Sequence, residues 1–208
     1  MMKKLEKKNI RIIILLVVTF LIFTVINSKQ PKQINVKDYM PSKPMVKVFD
    51  GEFNEAKHID VIDKIDGEFY QKKNIDINSL GVLVYHVDKD SYKLIYTEGE
   101  TNLLKDNYID EKSNTNLVLL RTPIKKGVSW INDDKSTYKI LSVDEKIDFM
   151  GKKIKTIKLR YRKDEDEYYL YFSKGLGIVA IESELGRSQL VEIYYDVNNY
   201  LSKIKKLK

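Results

Sequence analysis

The stretch GVLVYHVDKDSYKLIYTEGE, residues 81–100, decides the fold class. Two runs of β-branched and aromatic residues flank the polar tetrad Asp88 to Ser91. Such runs suit a pleated, half-buried surface, and Asp and Ser between them favour a tight turn, so the stretch predicts an antiparallel β-hairpin.

The same grammar extends through the chain. From Met45 onward apolar residues recur mostly at every second position, in runs broken by Gly, Asp, Asn and Lys. In KIKTIKLRYRKDEDEYYLYF, Ile157, Leu159 and Tyr161 alternate with Lys158, Arg160 and Arg162, which gives a strand one buried and one wet face. The acidic turn Asp164 to Glu167 lies close to that basic face. Hairpin ion pairing accounts for it, because the spacing of a calcium-binding loop is absent. Further runs occur at 46–53, 58–65, 67–75, 117–121, 128–131, 136–148, 177–184 and 189–196. The chain is therefore expected to be mainly β: one curled antiparallel sheet or half-barrel of roughly nine to twelve short strands, preceded by an N-terminal transmembrane helix.

That helix is read from an uncharged apolar run, Ile12 to Ile26, behind Lys3, Lys4, Lys7, Lys8 and Arg11. The run is apolar on every face, with Ile12, Leu16, Phe20, Phe23 and Ile26 along it, which suits lipid better than a protein core. Positive charge on one side keeps the N-terminus cytoplasmic and sends the remainder outside, a single-pass arrangement in the cell membrane. The exit TVINSKQ offers a poor small-residue cleavage site, which favours an uncleaved signal-anchor. Four segments follow: a basic flank and anchor over 1–29, a Pro-containing tether over 30–44, a β domain over 45–196, and a basic tail or short helix over 197–208. In the last, Val197, Tyr200, Leu201 and Ile204 share one helical face, and contact with anionic lipid or wall polymer is an alternative to a solvated tail.

The net charge of +7 sits at the ends. Residues 1–29 hold six basic side chains against Glu6, and residues 202–208 hold four lysines and no acid. The 27 Lys and Arg that remain face 29 Asp and Glu, so the middle carries about −2 and lacks the basic face that phosphate neutralisation requires. No nucleic-acid partner is expected. Absence of cysteine excludes disulfides, thiolate metal sites, thiol catalysis and a lipid-modified N-terminal Cys.

Catalytic signals are weak. His58 and His86 are each embedded in a strand pattern, outside any metal-ligand spacing, and no G-x-S-x-G elbow supports Ser183 between Glu182 and Glu184. Neither a metal nor a cofactor is expected, and the chain is read as not an enzyme. Trp130, the single tryptophan, reads as a core anchor after the Gly127 turn. The Gly-x-Gly of SKGLGIVAIES, residues 173–183, is followed by IVAIES, which has no helical face, so it cannot cradle a phosphate at a helix N-terminus. Gly175 is expected to serve a turn, and Gly177 a strand entrance or a close backbone approach.

Three stretches carry a resemblance: DYMPSKP (38–44), RTPIKKGVSW (121–130) and YYLYFSKGLGIVAIES (168–183). Together they resemble an extracytoplasmic all-β domain family of Gram-positive bacteria, clostridia and bacilli especially. In that family a DYFPL-like opening, a middle P-x-K-x-G-x-x-W and a late Y-Y-x-K-G-x-G-x-V punctuate the strands. The resemblance spans about Asp38 to Asp196 and implies a lipoprotein-like or membrane-tethered envelope protein with no defined catalytic residues. This chain departs from the pattern in lacking a lipobox cysteine, which leaves the N-terminal helix as anchor. Two functions are open at this point. One is a non-catalytic membrane-tethered cell-envelope module that binds a partner protein or wall polymer. The other is a carrier or sensor with an apolar ligand inside a curled sheet, as in lipoprotein-carrier folds and a germination lipoprotein of clostridial spores.

Overall fold

The computed structural model describes residues 34–51, 57–76, 79–99 and 107–205. Their strands are β1 (Met45–Gly51), β2 (His58–Asp66), β3 (Phe69–Ile75), β4 (Leu80–Val87), β5 (Ser91–Gly99) and β6 (Leu117–Arg121). The second half comprises β7 (Ser129–Ile131), β8 (Thr137–Phe149), β9 (Lys152–Lys163), β10 (Asp166–Ser173), β11 (Gly177–Ser183) and β12 (Gly186–Tyr194). A 3-10 turn, Val36–Tyr39, precedes them, and a helix α1, Val197–Lys205, follows. Among the described residues no helix is long and apolar enough to cross a membrane.

All twelve strands form one open antiparallel sheet in the order β6-β5-β4-β3-β2-β1-β12-β11-β10-β9-β8-β7. Every neighbour is the next strand in sequence except β1 and β12, which pair from Val46↔Tyr194 to Gly51↔Ser188. The chain thus makes two six-strand meanders joined down the middle by its first and last strands. The opening hairpin forms as its turn chemistry dictates: the Asp88 carboxylate accepts from the Asp90 and Ser91 amides at 2.7 and 2.6 Å. At the β9–β10 turn Arg162 and Glu167 face each other as cross-strand partners and form an ion pair.

An open sheet this long has to cover its apolar face, and here the two meanders cover one another. The main core takes Tyr85, Tyr92 and Leu120 from one half and Tyr138, Leu159 and Phe172 from the other. Tyr92 of β5 meets Phe172 of β10 edge-on at 5.9 Å, although six strands lie between them along the sheet. The sheet therefore curls until its outermost strands, β6 and β7, lie side by side.

These two edges do not share a backbone ladder. Side chains close the seam. The Trp130 indole donates to the Val118 carbonyl at 2.8 Å, and the Asn132 carboxamide accepts from the Val118 amide at 3.0 Å while donating to the Val118 carbonyl at 3.3 Å. The Asn132 amide thus serves Val118 as a neighbouring strand would, and an exposed edge is avoided. Trp130 also stacks on Tyr138 with ring centroids 5.5 Å apart and planes 3° from parallel.

The tether expected over 30–44 needs correction from Ile34 onward. Val36, Tyr39 and Met40 are buried in the main core. The Val36 amide donates to Lys89 at the β4–β5 turn, and Asp38 accepts from the Gly175 amide at the β10–β11 turn. This segment straps the two meanders together. Its apolar residues fall at positions 36, 39 and 40, one side of a single 3-10 turn, a pattern too short to stand out among prolines and lysines. The anchor expected over residues 1–29, with Ile12, Leu16, Phe20, Phe23 and Ile26, lies outside the described residues.

Asn132→Ala is expected to destabilise the domain by about 2–3 kcal/mol, since it leaves the buried edge of β6 unpaired. A urea unfolding midpoint lowered accordingly at unchanged slope would support this seam; a change within about 0.5 kcal/mol would count against it.

Candidate functional site

Polar chemistry is offered at two features where charged side chains meet the apolar clusters. The first arises where strand alternation places charge inside. Val46 and Val61 pair across β1 and β2 and pack with Val197 of α1. Lys47 and Asp60, their neighbours and also cross-strand partners, must then point to the opposite face, where both are buried. Lys72 joins them from β3.

The geometry spends most of the polar groups. The Lys47 ammonium donates to the Leu176 and Ile178 carbonyls at 3.2 and 2.8 Å and lies 3.7 Å from Asp60 Oδ2. Asp60 Oδ1 accepts from Lys72 at 3.0 Å and from the Asn74 amide at 2.9 Å. Burial would push the Asp60 carboxyl up, but Lys72, Lys47, His58 and Asn74 together hold it well below the usual carboxylate range. Burial likewise opposes the charge on Lys72, yet Asp60 and the Tyr85 hydroxyl raise it above its ordinary value. Lys47 goes the other way. Burial, with Lys72 adding repulsion, outweighs Asp60 and lowers it from 10.5 to about 8. A cavity of about 20 Å³ sits among Lys47, Asp60, Lys72, Tyr70, Tyr85 and Tyr92, under Met40 and Pro41. That is room for one water.

The second feature is an open groove of about 470 Å³ that crosses β12, β1, β2 and the end of β3. Val48, Ile59, Ile75 and Val191 give it an apolar floor, and His58 stacks on Phe49 with ring centroids 4.3 Å apart. Asp50, Asp76 and Glu192 line it against one cation, Lys57, which pairs with Asp50 at 3.3 Å. Val191 is exposed there, and toward the end of β12 stand Tyr194 and Tyr195, both exposed, with Tyr194 against Tyr200 of α1 at 5.0 Å and Lys43 over the Tyr195 ring at 3.9 Å.

The residues singled out from sequence occupy joints of the fold. Trp130 is buried at the β6–β7 seam, and the Gly127 amide donates to Ile140 at the mouth of β7. Gly175 takes the strap's hydrogen bond. Gly177 has φ +73, a left-handed conformation that disfavours any side chain, and a Cβ there would sit 4.0 Å from the Lys47 amine. His86 lies 3.3 Å from Glu68, far in sequence and sheet position from His58. Among the described residues no group of three or more His, Asp or Glu could hold a metal ion. Sequence reasoning missed the Lys47–Asp60–Lys72 cluster. Its signal was the interruption of apolar runs by single charges, in MVKVF and HIDVI.

The titrations fix a pH profile. For Lys47 the folded value of about 8 lies below the unfolded 10.5, so between them the unfolded chain holds a proton that the folded chain has released. Stability therefore rises with pH across that window, by roughly 1.4 kcal/mol per unit of separation. For Tyr92, raised by burial and by Tyr85, and for Lys72, the folded values lie above the unfolded ones, so stability falls again above about pH 10. Asp60 stabilises above its unfolded value, and that contribution is lost as the pH falls below about 4. Urea unfolding across pH 7 to 11 should show the rise, and Lys47→Met should abolish it while keeping the fall; a rise that survives in the variant assigns it elsewhere.

A search of protein-family models, curated proteins and solved structures finds no match for this chain, so its reading rests on its own geometry.

Proposed function

We propose that the chain is a non-catalytic cell-envelope module, held outside the cell membrane by its N-terminal apolar helix, that binds a partner protein. The groove over β12–β1–β2, with Val191 in its lining and the exposed Tyr194 and Tyr195 a few residues further along the chain, carries this reading. Aromatic residues beside an apolar floor are the composition of an interaction surface, and tyrosine supplies large contact area at low entropic cost. The acids Asp50, Asp76 and Glu192 outnumber Lys57 along the groove, which disfavours an anionic wall polymer and suits a neutral or basic protein segment. The resemblance to tethered envelope domains and the basic flank before Ile12 support the location. Less supports an apolar-ligand carrier, because the interior cavity among Lys47, Asp60 and the tyrosines, as described, holds about 20 Å³ against the several hundred of a small-molecule site.

A photo-crosslinking amino acid in place of Tyr195, in the full-length chain in its native membrane, tests this. A discrete crosslinked protein is expected, lost on Val191→Glu without a change in unfolding midpoint. Crosslinks to wall polymer alone, or none at all, would reject a protein-binding groove.

A further inference from the structure

The buried charge cluster does not balance. Lys47 and Lys72 bring two positive charges, and Asp60 is the one acid set against them. Asp63, the next acid along β2, is spent on Lys73 at 2.7 Å and on the Gln71 amide at 3.0 Å. An uncompensated charge in a protein interior is costly, so the site calls for one more negative charge.

The polar groups point the same way. Asp60 Oδ1 already accepts twice, from Lys72 and Asn74, and Oδ2 faces Lys47. Two of the Lys72 N–H groups go to Asp60 and the Tyr85 hydroxyl, which leaves the third unspent among the described residues. The hydroxyl-bearing rings of Tyr70, Tyr85 and Tyr92 line the cavity beside these cations. Hydroxyls and ammonium groups are donors to an anion, and the cavity has the dimension of one atom-sized guest.

We propose that this cavity is a binding site for a single monatomic monovalent anion, chloride or a like halide, held by Lys72 and the tyrosine hydroxyls in the positive field of Lys47. A space of about 20 Å³ with an ammonium and tyrosine rings on its wall favours a monatomic guest over the larger sulfate, phosphate and carboxylates. The ion would join three parts of the fold: β1–β3, which supply the charges, the strap at Met40 and Pro41, and the entrance to β11 at Gly177. It is a structural site, separate from the groove and independent of the partner reading.

Thermal unfolding of the full-length chain in sodium chloride, sodium bromide and sodium gluconate, at matched ionic strength and pH, reads the site. Halide binding to the folded chain alone raises Tm by about 3–6 °C for each tenfold increase above the dissociation constant, whereas gluconate does not. Lys72→Met should remove the difference between halide and gluconate. Should that variant fail to fold, crystals of the unaltered protein soaked in bromide decide the matter. An anomalous peak within hydrogen-bonding reach of Lys72 Nζ is expected. Superposed halide and gluconate curves, or a cavity that holds water only in bromide-soaked crystals, would overturn the assignment.

Discussion

The fold depends on how one buried amine is satisfied. Lys47 lies in the middle strand pair, and its ammonium reaches across to two carbonyls at the entrance of β11 and to Asp60 on β2. An ammonium inside a protein has to be surrounded by acceptors, so the β10–β11 turn is drawn toward β1. At that turn Gly177 adopts φ +73, a left-handed conformation that glycine takes without the strain a side chain would add. The turn then presents the Gly175 amide to Asp38 of the strap. The β10–β11 turn, more than a hundred residues away in sequence, is thereby fixed against the strap, β1 and β2 by one charge and the backbone around it. Replacing the ion pair with apolar residues of like volume is often tolerated in proteins, which suggests that Lys47 and Asp60 serve to specify a register rather than to add stability.

The second constraint is the sheet edge. Two meanders meet at β1 and β12 through a ladder with one bulge at Val48–Phe49, whereas β6 and β7 share none, β7 pairing only with β8. The Asn132 amide and the Trp130 indole complete the hydrogen bonds that backbone would otherwise make. With the seam closed and the aromatic rings of both halves meeting at the centre, the interior is occupied by the chain's own side chains. On the outside, the end of β12 exposes tyrosine rings near an apolar groove.

Much of this architecture was legible in the residues. The period-two runs located the strands to within a few residues, and the Asp88–Ser91 turn fell where its chemistry required. The three stretches that carry the family resemblance turn out to be the joints: the strap, the seam and the β10–β11 turn, two of them bonded directly through Asp38 and Gly175. What sequence could not show was partnership across space. A lysine within an apolar run reads as a wet position, and only the placement of Asp60 opposite and Lys72 beyond makes it an interior one. The strap was missed for a related reason: a single 3-10 turn is too short for its apolar side to register as periodicity. The groove is equally invisible in sequence, since β12, more than a hundred residues after β1–β3, supplies part of its lining.

The claim on which the account turns is that the curled sheet is filled and works from its outside. Native mass spectrometry of the full-length protein after gentle extraction tests it directly. The account predicts the mass of the polypeptide with no stoichiometric apolar ligand. One lipid or other apolar molecule retained per chain would contradict it and place the function inside the sheet.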